Sequence, residues 1–203
     1  MQMNSLRELY VEELKDLYSA ETQILKALPR MIKAASNSDL KRAFTQHERQ
    51  TQQHVKRLER IFKLLDESTR GKKCKGMEGL LEEGQELIKE RPEPEVLDAG
   101  LIAAAQRVEH YEIAGYGTVR TYARQLGEEE QATLLQQTLD EEGETDKLLS
   151  SLAESSINIE AEQADDDEMS ESGSMNGRSG GARRAGATKR SSSTRAKRTT
   201  ARR

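Results

Sequence analysis

Four long stretches of this chain carry apolar residues at helical spacing, and the joints between them are very unequal. The first stretch runs from about Ser5, an N-cap with Glu8 three residues on, to about Ala35; the second runs from about Ser38 to Glu67. The third starts near Pro94, a residue suited to a first helical turn, and ends before Gly127; the fourth spans about 128–154. Only a few residues separate the first from the second and the third from the fourth, so each pair must form an antiparallel hairpin. Residues 68–93 separate the two hairpins and hold one short helix at about 77–90, "MEGLLEEGQELIKE", between "STRGKKCKG" and "RPEPE". That length crosses a whole bundle. Pro29 is expected to kink or break the first helix. No segment of useful length alternates at the strand period, so the fold class is all-α.

The core-facing stripes contain unexpected residues. Counting by alternating threes and fours through "RVEHYEIAGYG" gives Ile102, Ala105, Glu109, Glu112, Tyr116, Val119, Ala123 and Leu126. Two carboxylates stand one turn apart on an otherwise apolar face. The first helix gives Leu14, Leu17, Glu21, Ile24, Leu28 and Met31; the second gives Phe44, His47, Thr51, His54, Leu58, Ile61 and Leu65. The fourth gives Leu135, Thr138, Glu142, Thr145, Leu149 and Leu152, with Glu141 in the neighbouring register. Each stripe is apolar at its ends and polar at its middle, so in a bundle the polar groups meet at one height.

Burying an unpaired carboxylate costs several kcal/mol, so the layer needs cations, protons or a metal. No Lys or Arg falls at the central stripe positions. A Glu–His–Thr hydrogen-bonded layer is one solution. A metal is the other, and carboxylates with imidazole suit iron or manganese, whereas a lone zinc more often takes thiolate or more histidine. The ligand candidates are Glu21, His54, Glu109, Glu112 and Glu142, with His47, Gln50, Glu141 and Asp146 as weaker ones. Tyr18, Tyr111 and Tyr116 are candidates for a nearby redox or hydrogen-bonding group.

Charge divides the chain. Residues 1–169 carry 22 Lys+Arg against 35 Asp+Glu, a net −13, whereas residues 170–203 carry ten basic residues and only Glu171, a net +9. Periodicity ends near "AEQADDDEMSESGSMNG", which divides a helical domain, 1–155, from a tail, 156–203, expected to be disordered and first acidic, then rich in Arg, Lys, Ser and Gly. The tail can be a solvated extension, or can fold back on the acidic body. Its sharper reading is sequence-independent binding of DNA or RNA phosphates through residues 178–203, by charge rather than stacking because no aromatic residue is interleaved. No run approaches the roughly 18 apolar residues of a membrane span. The single Cys74 and an N-terminus without an apolar leader fit the cytoplasm.

Two hairpins joined by one long crossover is the ferritin-like form of the four-helix bundle. Three segments, "DLYSAETQILKALPRM", "AGLIAAAQRVEHYEIAGYGT" and "TLDEEGETDKLLSSLA", resemble the YciE/YciF stress-protein family of ferritin-like proteins over roughly residues 5–155. The resemblance implies a bundle with an extra short helix, a homodimer and a potential two-metal centre, with no established reaction. The wider ferritin-like pattern is one Glu from each of two helices and Glu-x-x-His from each of the others. Glu21 and Glu109 or Glu112 fit the single glutamates. His54 fits one motif histidine, but Thr51 stands three before it and Gln50 four before; Glu142 fits the other glutamate, but Thr145 replaces its histidine. Both motifs are degenerate, so a symmetric centre is not expected: either His47, Glu112 or Asp146 substitutes as a ligand, or one metal position is weak.

These readings lead first to a cytoplasmic stress-related protein whose di-metal site reacts with oxygen or peroxide. The competitor is a non-enzymatic dimeric scaffold that the tail attaches to nucleic acid. Iron storage is the third, but a dimer lacks the necessary cage.

Overall fold

The computed structural model describes residues 4–164; the tail expectations for residues 165–203, including the nucleic-acid segment, lie outside the described residues. Helix α1 spans Leu6–Ala34, α2 Ser38–Leu64, α3 Lys75–Glu90, α4 Pro94–Gln125 and α5 Glu129–Leu152, and no strand occurs among the described residues. The Ser5 hydroxyl accepts the Glu8 amide at the head of α1, and the Asn37 side chain accepts the amides of Asp39 and Leu40 at the head of α2. Helix α1 runs unbroken through Pro29. Pro29 lies on the exposed face, while buried Leu28 anchors the same turn.

Helix α1 packs on α2 and α4, and α5 packs on α2 and α4. The apolar clusters give the directions. One end joins Tyr10 and Leu14 of α1 to Leu58 and Ile61 of α2, Val119 and Ala123 of α4, and Leu135 of α5. The other joins Ala35, Leu40 and Phe44 to Leu101 and Ile102 of α4 and Leu149 of α5. Helices α2 and α4 therefore have their adjoining chain ends at opposite ends of the bundle, and the crossover traverses its length. This is the ferritin-like topology. Buried Asp98 ties the hairpins together at the second end, accepting the Ser36 amide at 2.8 Å, the Ser36 hydroxyl at 2.6 Å and the Asn37 amide at 2.7 Å.

Within the crossover, α3 lies against α1 and α4. Met77 and Cys74 join Ala20, Ile24, Leu28 and Val108 in a third apolar cluster. Beyond α5 the chain continues as a π-helical turn, Ala153–Ile157, and helix to residue 164. Ile157 is buried in the second apolar end, so the expected boundary at 155 falls inside a packed segment.

Candidate metal centre

Between the two apolar ends lies a buried polar layer. Glu21, His47, Thr51, His54, Glu109, Glu112, Thr138, Glu142 and Thr145 are all at most 7% exposed. The helical repeat explains this: in α4, Glu109 and Glu112 occupy the stripe between Ala105 and Tyr116 and cannot leave it without exposing them.

The donors form two groups. His47, Glu109, Glu112 and Glu142 each place a ligand atom within 4.8 Å of the others, and so do Glu21, His54 and Glu142. Glu142 belongs to both. In the first group His47 Nε2 is 3.3 Å from Glu109 Oε1 and Nδ1 is 3.9 Å from Glu142 Oε2. In the second, His54 Nδ1 lies 3.4 Å from Glu21 Oε1 and 2.9 Å from Glu142 Oε1, without hydrogen-bond alignment. Both oxygens of Glu112 and of Glu142, both nitrogens of His47, Oε2 of Glu21 and of Glu109, and His54 Nδ1 are buried without a hydrogen-bond partner. Folded proteins rarely leave one such atom, and each costs about 1–3 kcal/mol. Nine gathered around shared points fit a cation.

The titration behaviour agrees with that fit. Burial, reinforced by neighbouring carboxylates, pushes Glu109 and Glu112 well above the usual carboxylate range. Burial also raises Glu21, against the pull of His54. Burial lowers His47 and keeps its imidazole neutral. Burial opposes charge on His54 as well, but Glu141, Glu142 and Glu21 outweigh it and push the imidazolium up to about 12. Burial likewise opposes charge on Glu142, but His54 and His47 hold its carboxyl below the usual range. Raised carboxyls, and a charged His54 beside the lowered Glu142, limit the net charge that the layer must bury.

One ligand is oriented from outside. His54 Nε2 sits 2.7 Å from Glu141 Oε2, and Arg57 grips both Glu141 oxygens at 2.7 Å. Despite burial, His54 and Arg57 lower the Glu141 carboxyl to about 2. The ionised carboxylate therefore accepts the Nε2–H proton and directs Nδ1 toward Glu21 and Glu142. Arg57 was not legible as part of the site; its only sequence signal is its position three residues after His54. Glu141→Gln is expected to weaken manganese binding 10–100-fold, read by calorimetric titration, with helical content unchanged. Unaltered affinity would show that the clamp does not act on the site.

The other expected residues are distributed unevenly. His47, a weaker candidate in the sequence, stands inside the first group, while Glu141 and Asp146 lie outside both; Gln50 is only half-buried. Asp146 accepts from Gln106 at 3.0 Å and faces the exposed His110. The Thr51 and Thr145 hydroxyls bond to the carbonyls of His47 and Glu141 one turn back, so they satisfy their own helices. Tyr116 donates a short hydrogen bond to Glu21 Oε1 and is fully buried. Tyr18 points to Glu59, and Tyr111 donates to Asp16 and contacts the Cys74 thiol.

The family model for a domain of unknown function, DUF892, matches residues 5–162. The chain belongs to the DUF892 family. It is 44% identical to protein YciF of Escherichia coli strain K12 over 165 residues, 80% of this chain and 98% of that protein. The crystal structure of the E. coli stress protein YciF matches with a TM-score of 0.74 at 43% identity, covering 77% of this chain and 99% of that one. YcfI from Rhodopseudomonas palustris, provisionally described as a structural protein, matches with a TM-score of 0.72 at 39% identity over 74% and 96% of the two chains. A Xanthomonas campestris protein of 24% identity shares the fold with a TM-score of 0.64. The expected kinship with YciF and the all-helical bundle both hold. No helix among the described residues is long and apolar enough to cross a membrane.

Proposed function

We propose that the polar layer is a two-metal centre for iron or manganese that reacts with dioxygen or peroxide, in a protein of stress physiology like its YciF relative. The observation that carries this reading is Glu142: a buried carboxylate with neither oxygen in a hydrogen bond, facing an imidazole on each side and common to two groups of carboxylate and imidazole donors. Glu21, His54 and Glu142 would hold one ion; His47, Glu109, Glu112 and Glu142 would hold the other. When bound, such ions supply electrons and open coordination positions to an oxidant. The residues of the chain do the rest. The raised carboxyls and His54 Nδ1 would give up their protons on loading, Glu141 and Arg57 hold the His54 ring through Nε2, and Tyr116 keeps a hydroxyl proton at Glu21. The apolar ends exclude bulk water from the layer.

The test is metal analysis of full-length protein purified without chelator and reconstituted with iron or manganese, joined to an anomalous-scattering map. Density at both groups supports the reading. Protein that stays metal-free after reconstitution favours the scaffold alternative, to which the description of YcfI lends support.

The net +9 of residues 170–203 supports a second role, phosphate binding by the tail. Because Ile157 is part of the packed end, the informative truncation falls after residue 164. Full-length protein is expected to bind duplex DNA at low salt with a log–log salt slope of about −0.9 per phosphate neutralised; the truncated, acidic body is expected not to bind. Equal binding by both would remove the tail from this role.

A further inference from the structure

Every donor of the centre is buried, so anything that reacts there must enter through the packed helices. Three adjoining spaces lie along the seam of α1, α3 and α4. The outermost is a polar cleft of about 290 Å³ bordered by Lys26, Lys73, Glu78 and Glu82. Beneath it is a neck of about 20 Å³ lined by Leu80, Gly84, Ile88 and Ala104. The innermost chamber, also about 20 Å³, is lined by Ile24, Leu28, Phe44 and Ala105 and ends on His47 and Glu109. Ala27 and Leu81 border all three spaces, and Met31 and Val108 border the inner two.

We infer that this seam is an access and binding route for dioxygen to the His47 side of the centre. The inference rests on the proposed metal centre and extends it to how the oxidant arrives. An open volume of 20 Å³ accommodates one very small molecule. Apart from Arg30 and Gln85, which also border the cleft, the neck walls are aliphatic, so an ion or a strongly hydrated molecule would lose its water contacts there without replacement, whereas dioxygen has few to lose. At the inner end, the partnerless His47 nitrogens and Glu109 Oε2 are the first polar atoms met. Leu81, on α3, stands between cleft and chamber, and rotamer changes of such side chains are fast enough to pass a diatomic. The extra helix therefore forms the outer wall of the route. Gly84 keeps the neck open: a Cβ there would lie 3.5 Å from the Ala104 Cβ, ordinary contact that a longer side chain would extend into the lumen.

The test uses full-length, metal-free protein and dissolved dioxygen as a paramagnetic probe of methyl resonances. Ile24 and Leu28 line the chamber; Ile102 and Leu17 match them in type and burial but lie off the route. Dioxygen-induced shifts are expected to be several-fold larger at Ile24 and Leu28 than at Ile102 and Leu17. Gly84→Leu is expected to abolish that excess and to leave manganese affinity unchanged, while Gly84→Ala keeps both. Equal shifts at the two pairs in wild type would overturn the route, as would an excess that survives Gly84→Leu in a folded protein. Since no metal is involved in this readout, an excess in a protein that never binds metal would refute the proposed function and leave the route standing.

Discussion

Replacing Glu109 and Glu112 together with Gln is expected to empty the His47 side of the centre and to make the metal-free protein more stable. Two of the four donors in that group are lost, leaving His47 and Glu142, too few to hold an ion in competition with water. The second group is intact, so the variant should keep at most one ion per chain. Stability changes in the opposite sense because wild type buries three partnerless oxygens on these two residues, at 1% and 0% exposure. A neutral amide needs no proton from solvent and donates to adjacent carboxylates. The gain at pH 8 should be about 1–3 kcal/mol, the scale of a buried unsatisfied polar group. Urea denaturation of metal-stripped proteins and metal analysis of reconstituted ones give the two readouts. A double variant that is less stable and retains wild-type metal would mean that the layer is held by internal hydrogen bonds and is not a ligand set.

Metal is expected to reverse the pH dependence of stability. Glu21, Glu109 and Glu112 have folded values raised by burial, so their contribution is complete below the ordinary carboxylate value and is lost as pH climbs toward the folded one. His54, pushed up to about 12, acts in the same sense above the ordinary imidazole value of 6.5. His47, lowered by burial, works the other way, but only below 6.5. The lowered carboxyls of Glu141 and Glu142 matter only in acid. Between pH 6.5 and 9, therefore, the metal-free protein should lose stability as pH rises. Loading requires deprotonated ligands, so it releases protons and tightens with pH. At a thousandfold excess over Kd it adds about 4 kcal/mol. Melting curves across this window, with and without manganese, should diverge toward high pH. Parallel curves would show that the raised carboxyls and the bound ion do not share a site.

Both predictions concern the same compromise. The layer departs from good packing at the middle of a bundle whose ends are conventionally apolar, and such local departures mark functional sites. Leu14, Leu58 and Leu135 at one end and Leu40, Leu101 and Leu149 at the other supply the stability that the middle gives up.

The helical period and the unequal joints by themselves determined the bundle, its two hairpins and the height at which Glu21, His54, Glu109, Glu112 and Glu142 meet. A stripe of fixed spacing leaves each side chain only one face to occupy. Tertiary structure decided the rest, because ligation depends on which side chains of different helices face one another. His47 and His54 are equivalent on the α2 stripe, yet only their neighbours on α1, α4 and α5 assign them to different groups. Glu141 and Glu142 are adjacent in sequence, but the rotation of α5 turns one inward to both groups and the other outward to Arg57. Asp146 looked available by spacing and faces Gln106 and His110 instead. The position of α3, and with it the seam above His47, follows from contacts between residues distant in sequence, Met77 with Ile24 and Val108, which no local pattern encodes.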